Sequence, residues 1–133
     1  MTIEFNDIKS LAERMFASVY ISQGESAFTL DFDSLTISFA ALPGEPGMTL
    51  LRSRVIDTEG LARKGSLALT ALESNFFWLG TKGATLSLGK DGWLWLTDRR
   101  PVESLANADN LAACISDFLA TTVLWKERGL LHV

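Results

Sequence analysis

Ala84-Thr85-Leu86-Ser87-Leu88-Gly89-Lys90-Asp91-Gly92-Trp93-Leu94-Trp95-Leu96-Thr97 is the stretch on which the reading of this chain turns. Ala84, Leu86 and Leu88 alternate with Thr85 and Ser87, the period of a strand with one buried face. Gly89 to Gly92 brings the glycines and the aspartate of a chain reversal, so the two runs form an antiparallel hairpin. The return run is apolar on both sides, with Trp93 and Trp95 opposite to Leu94 and Leu96. A half-exposed strand seldom carries such a pattern, so the tryptophans call for a cover.

Upstream of the hairpin, Gly80 and Gly83 bracket a turn, and Leu61, Ala68, Leu72 and Phe76 hold a helical period with Leu69 beside them. Asp57 or Thr58 opens this second helix, predicted over about 59 to 77, although Gly60 and Gly65 weaken its first turns. Before it, Met48 to Ile56 reads as a strand with Leu51 and Val55 on one face and Leu50, Arg52, Arg54 and Ile56 on the other. Pro43-Gly44-Glu45-Pro46-Gly47 cannot continue a ladder and is a loop. Phe28, Leu30 and Phe32, then Leu35, Ile37 and Phe39, alternate with polar residues as two strands meeting at Asp33-Ser34. Ile8, Leu11, Ala12, Met15, Phe16 and Val19 form one apolar stripe of a first helix over about 6 to 20. Downstream, Ala108, Leu111, Ile115, Phe118, Leu119, Thr122 and Trp125 define a third helix over about 108 to 128, stopped by Gly129. The expected class is α+β, an antiparallel five-stranded sheet with three helices in the order α-β-β-β-α-β-β-α.

At 133 residues and 14.6 kDa the chain is expected to be a single domain over 1–133. Scaling of surface with mass has such a chain burying about two-thirds of its unfolded area, so neither metal nor disulfide is required. With 47% hydrophobic and 21% charged residues it is neither disordered nor, for want of a long apolar run, membrane-spanning. A net charge of −4 argues against nucleic acid as partner. The single Cys114 closes no internal disulfide, and the first residues lack the character of a signal peptide, which points to the cytoplasm.

Raw material for catalysis is thin. The only histidine is His132, near the end of the chain, and Cys114 sits mid-helix among Ala112, Ala113 and Ile115 as a packed thiol. Gly83 to Lys90 mimics a phosphate loop but has the wrong spacing, Asp91 in place of the hydroxyl residue, and strands on both sides. Asp31 and Asp33 on one strand face could hold a hard cation, yet no third ligand accompanies them. Arg99-Arg100 reads as a solvated pair at a strand end. No enzymatic role, cofactor or metal is expected. What stands out is apolar surface, since Leu61, Leu69, Leu72, Phe76, Phe77 and Trp78 exceed what one stripe can bury.

The element order, the run from Asn75 through Gly80, the Leu86-Ser87-Leu88 strand, the Gly89 to Gly92 turn, the Trp93 to Leu96 strand and the long helix ending Trp125-Lys126 together resemble class I type III secretion chaperones, the CesT-like family. The resemblance covers nearly the whole chain and rests on order and periodicity. It implies a homodimer that holds the N-terminal segment of a secreted effector in extended form, keeping it soluble and secretion-competent. The secretion ATPase is a further partner it brings into view. Carried over by position, the dimer interface falls on Leu61, Leu69, Leu72, Phe76, Trp93 and Trp95, and effector binding on Phe5, Met15, Val19, Phe28, Leu30 and Leu50. Gly60, Gly65 and the Pro43 to Gly47 loop depart from the family's pattern. A second reading, from another class, is a carrier enclosing a small apolar ligand, which predicts a monomer with a sealed pocket.

Overall fold

The computed structural model describes residues 3–16, 19–21 and 26–132, with 19–21 described as backbone. Helix α1 spans Phe5–Met15, strands β1 to β4 span Val19–Ile21, Ala27–Phe32, Leu35–Ala41 and Met48–Asp57, and helix α2 spans Lys64–Ser74. Strands β5 and β6 cover Thr85–Leu88 and Trp93–Pro101, and helix α3 closes the chain over Ala108–Leu130. The class, the three helices and the five expected strands stand as the patterning predicts. The short β1 is an addition: helix α1 ends at Met15, and Val19 to Ile21 pair antiparallel with Phe28 to Leu30. Helical periodicity through Val19 was a coincidence of spacing, overridden by the β preference of Val-Tyr-Ile and by a strand ready to pair.

All neighbouring strands are antiparallel, in the order β1-β2-β3-β4-β6-β5. Register places Phe28 beside Phe39 and Phe39 beside Leu51, with the two phenylalanine rings stacked at 4.7 Å. Leu96 lies between Ser53 and Leu86 in the same way. These residues form one core face, covered by Phe5 and Ile8 of α1, Leu67 and Ala71 of α2, and Leu111, Phe118 and Trp125 of α3. A bulge in β4 between Arg54 and Ile56 corrects the expected alternation. The extra residue turns Ile56 to the core side opposite Leu94, where it meets α3.

That meeting also corrects the reading of Gly129. The helix runs through it, and a Cβ there would stand 2.9 Å from the Cγ2 of Ile56. Glycine serves close approach of helix to sheet, not termination. Asn107 caps the start of α3, its Oδ1 accepting from the Asn110 amide at 2.9 Å. Helix α2 begins later than its apolar pattern suggests, because Gly60 takes a positive φ of 82° and the Thr58 hydroxyl is tied to the Gly92 carbonyl at 2.6 Å. It ends at Ser74, since Phe77 and Trp78 turn left-handed at φ 52° and 57°.

Candidate functional site

The run Phe76-Phe77-Trp78-Leu79 has four large apolar residues in succession, which no helix can bury on one face. A tight turn places all four in solvent, with Phe77 70% and Leu79 82% exposed. The turn is well held. The Gly83 amide donates to the Trp78 carbonyl at 3.2 Å, the Trp78 indole donates to the Thr85 hydroxyl at 3.3 Å, and buried Trp125 donates to the Gly80 carbonyl at 3.1 Å. Phe76 and Phe77 meet edge to face at 4.4 Å. Together with Leu69 and Leu72 of α2 and Leu88 of β5, the turn makes one apolar face along the sheet's edge.

An apolar groove of about 340 Å³ opens on that face between α2 and β5, walled by Gly65, Ala68, Leu72, Leu88 and Leu94. It is bordered by exposed side chains, whereas the carrier reading requires a sealed cavity. Beside it, Asn75 closes the free edge of β5. Its Nδ2 donates to the Leu86 carbonyl at 2.8 Å and its Oδ1 accepts from the Leu86 amide at 2.9 Å. One side chain thus satisfies both main-chain groups that would otherwise invite another strand.

The six residues nominated for a subunit contact do not form one surface. Leu69, Leu72 and Phe76 lie on the exposed α2 side, and Leu61 is half-buried against the core. Trp93 and Trp95 stand on the opposite face of the sheet, because alternation along β6 sends Leu94 and Leu96 towards the helices. Helix α2 covers those leucines, so the tryptophans find their cover elsewhere: the Arg54 guanidinium lies 5.2 Å and 5.1 Å from the two rings. Asp91 joins this cluster, its Oδ1 accepting from the Trp93 amide and the Trp95 indole and its Oδ2 pairing with Arg54. The Trp93 amide, then the Trp95 indole and Arg54, hold the Asp91 carboxyl below its ordinary value.

Of the residues nominated for effector binding, Phe28 and Leu30 are fully buried and Phe5 nearly so, which removes them from any client surface. Their strand and helix positions are those of core residues, and the alternation that made them conspicuous is the reason they face inward. Met15 is half-buried at the edge of the core, and Leu50 is half-buried on the outer face of the sheet. Val19 belongs to β1 at the sheet's free edge, and its side chain lies outside the described residues. Phe77, Trp78, Leu79 and Leu88 are exposed apolar residues that the nomination missed, as are Val123, Leu124, Leu130 and Leu131 of α3 and its end, although the four-residue apolar run signalled the first three.

Catalytic arrangements fare no better in three dimensions. Cys114 faces the core from α3, and burial pushes its thiol up, away from the reactive thiolate. His132 lies beyond the far end of the same helix, whose last residue Leu130 is already roughly 24 Å along the axis from Cys114 at the helical rise, and its Nδ1 is 2.8 Å from the Arg128 carbonyl. Asp33 occupies the β2–β3 turn at φ 55°, so it does not share a strand face with Asp31. Arg99 and Arg100 are both engaged, Arg99 with both carboxylate oxygens of Glu45 at 2.7 Å and Arg100 with Asp98 at 2.8 Å. Among the described residues no group of acidic, histidine and cysteine side chains is placed to hold a metal, and no helix is long and apolar enough to cross a membrane.

With this geometry in view, the profile of the Tir chaperone protein (CesT) family matches residues 27–126. The chain belongs to the CesT family. Its fold is shared by solved structures of low sequence identity. The ExsC–ExsE complex contains a chain 17% identical that superposes with a TM-score of 0.73, covering 92% of this chain and 90% of the other. The HopA1–SchA chaperone–effector complex contains one 16% identical with a TM-score of 0.66, covering 92% and 95%. The Yersinia pestis type III secretion chaperone SycH, in complex with a fragment of YscM2, is 12% identical with a TM-score of 0.58, covering 87% and 97%. No curated protein sequence matches the chain. As a CesT family member, this chain presents an exposed apolar face on α2 and the turn that follows it.

Proposed function

We propose that this CesT family member is a type III secretion chaperone that binds the N-terminal segment of a secreted effector in extended form and keeps it soluble and secretion-competent. The observation that carries the reading is the joint one of family membership and an exposed apolar face on α2 and the turn that follows it. The work is binding, and no bond is made or broken. A chain of the same fold lies in the HopA1–SchA chaperone–effector complex, which supports the kind of client.

Two surfaces divide the work in this reading. The α2 face joins two copies into a homodimer, through Leu69, Leu72 and Phe76 of the original nomination, with Leu61 at its margin. The client lies towards the other end of the sheet, where β1 is an edge strand and Met15 offers half-buried apolar surface, while Leu50, on β4 and the outer face, lies apart from it. An extended segment gains main-chain hydrogen bonds by adding to such an edge and side-chain burial beside it. The β5 edge is unsuited to that task, since Asn75 already occupies it. The place of action is the cytoplasm, and the secretion ATPase is the further partner of the loaded complex.

Co-expression of the chain with effectors encoded beside it, followed by purification and limited proteolysis, tests the proposal. A complex in which the effector's N-terminal segment is protected while remaining unfolded by circular dichroism is the expected result. Effectors that stay soluble and unbound in the presence of the chain would refute it.

A further inference from the structure

Helix α2 is weak by its own sequence. Its 11 residues fall below the roughly 12–15 at which an isolated helix holds in water. Gly65 stands in its first turn beside Lys64, a cation at the end of a helix that favours anions, and no acidic residue accompanies it there. No side chain caps this end, and residues 62–66 are all exposed, so packing first grips the helix at Leu67.

The start of α2 is held instead by the end of α3. The Arg63 amide donates to the His132 carbonyl at 3.1 Å, and the Arg63 guanidinium donates to the Leu131 carbonyl. Among the described residues these are the only hydrogen bonds that tie residues 62–66 to another element. The turn that supplies the two carbonyls is itself fixed. The Leu131 amide donates to the Arg128 carbonyl at 3.2 Å, the His132 amide donates to the Gly129 carbonyl at 3.0 Å, and the His132 Nδ1 lies 2.8 Å from the Arg128 carbonyl. A cation is favoured at this place, the negative end of a 23-residue helix anchored in the core by Phe118 and Trp125. A strong helix thus lends its end to a weak one.

We propose that the Leu131–His132 turn is a strap that decides whether the first turn of α2 is helical. With the strap closed, α2 begins at Lys64, and Lys64 and Gly65 wall the groove between α2 and β5. With it open, residues 62–66 rest on their own poor propensity and unwind, the helix restarts near Leu67, and the groove loses that wall. The rest of α2 stays in place, because buried Leu67 and Ala71 and the two hydrogen bonds of Asn75 to Leu86 do not involve the strap.

Hydrogen exchange and limited trypsin digestion test the strap, since Lys64 offers a cleavage site inside the gated turn. In a chain ending at Leu130, the Leu67 and Ala68 amides, whose helical acceptors are the Arg63 and Lys64 carbonyls, should lose protection by on the order of tenfold or more. Cleavage after Lys64 should quicken by a similar factor, while the Asn75 amide and the Leu96 amide of β6 keep their protection. Arg63→Ala in the full chain, which removes one of the two bonds, should cause a smaller loss at the same amides, and Arg63→Lys should restore most of it. Unchanged protection at Leu67 and Ala68 in the shortened chain overturns the strap. So does a loss shared equally by Asn75 and Leu96, which would make the turn a general support of the fold. Should the shortened chain fail to fold, Arg63→Ala decides alone, and Leu67 and Ala68 amides as protected as in the unaltered chain overturn the proposal.

Discussion

Replacing Asn75 with alanine isolates the closure of the β5 edge. Asn75 sits at the end of α2 with ordinary right-handed backbone angles, φ −72° and ψ −15°, so alanine fits without strain. The change removes the two hydrogen bonds to Leu86, at 2.8 Å and 2.9 Å, and nothing else of consequence. At about 1 kcal/mol per bond, and with water able to reach part of this half-buried site, the loss amounts to about 1–2 kcal/mol. For a chain of this length the corresponding fall in Tm is about 4–7 °C. Urea unfolding at one fixed protein concentration gives the first measure, because dimerisation would otherwise shift the midpoint. Hydrogen exchange gives the second and more specific one. The Leu86 amide should lose protection by on the order of tenfold, while the Leu96 amide in β6 keeps its own. Asn75→Asp preserves an acceptor for the Leu86 amide but sets a carboxylate against its carbonyl, so it should not rescue. An unchanged urea midpoint together with a still-protected Leu86 amide would refute the claim that this side chain guards the edge.

Two other perturbations follow from named contacts. Gly129→Ala places a methyl group against Ile56 and should destabilise the protein by up to about 2 kcal/mol, overpacking outweighing the better helix propensity of alanine. In an Ile56→Ala background the same change should become neutral or stabilising by urea unfolding, since the atoms it strikes are gone. For Asp91 the folded state holds the proton less readily than the unfolded chain, so its contribution to stability is present at neutral pH. It is lost as pH falls through the ordinary carboxylate value of 3.8 and below. The Trp95 indole resonance should shift over that acidic range, and an identical titration in Asp91→Asn would contradict the assignment.

The apolar rhythm of this sequence determined the class of fold by itself. Period-two runs from Phe28 to Phe39 and from Ala84 to Leu96 state which side chains a sheet must bury, and the Gly89 to Gly92 reversal joins the last two strands without help from distant residues. The surplus of apolar residues from Leu61 to Trp78 likewise announced an exposed face, since they exceed what one helical stripe can bury. These are local signals, and local geometry suffices to read them.

Only the tertiary structure decided which of those residues face solvent. Phe28 and Leu30 alternate no differently from residues on an open strand, and the helices packed over that face, Phe5 of α1 among them, seal them. Trp93 and Trp95 lie on the other side of the sheet from α2 because that helix crosses over Leu94, a choice written in no single segment. The end of α1 at Met15 depends on β2 being there to pair with β1, and the turn of Ile56 into the core depends on a bulge opposite Trp95 and Leu94. Burial and pairing are properties of two segments at once. A pattern within one segment can therefore say that a face is apolar, while its partner in space decides whether that face becomes core or a surface for another chain.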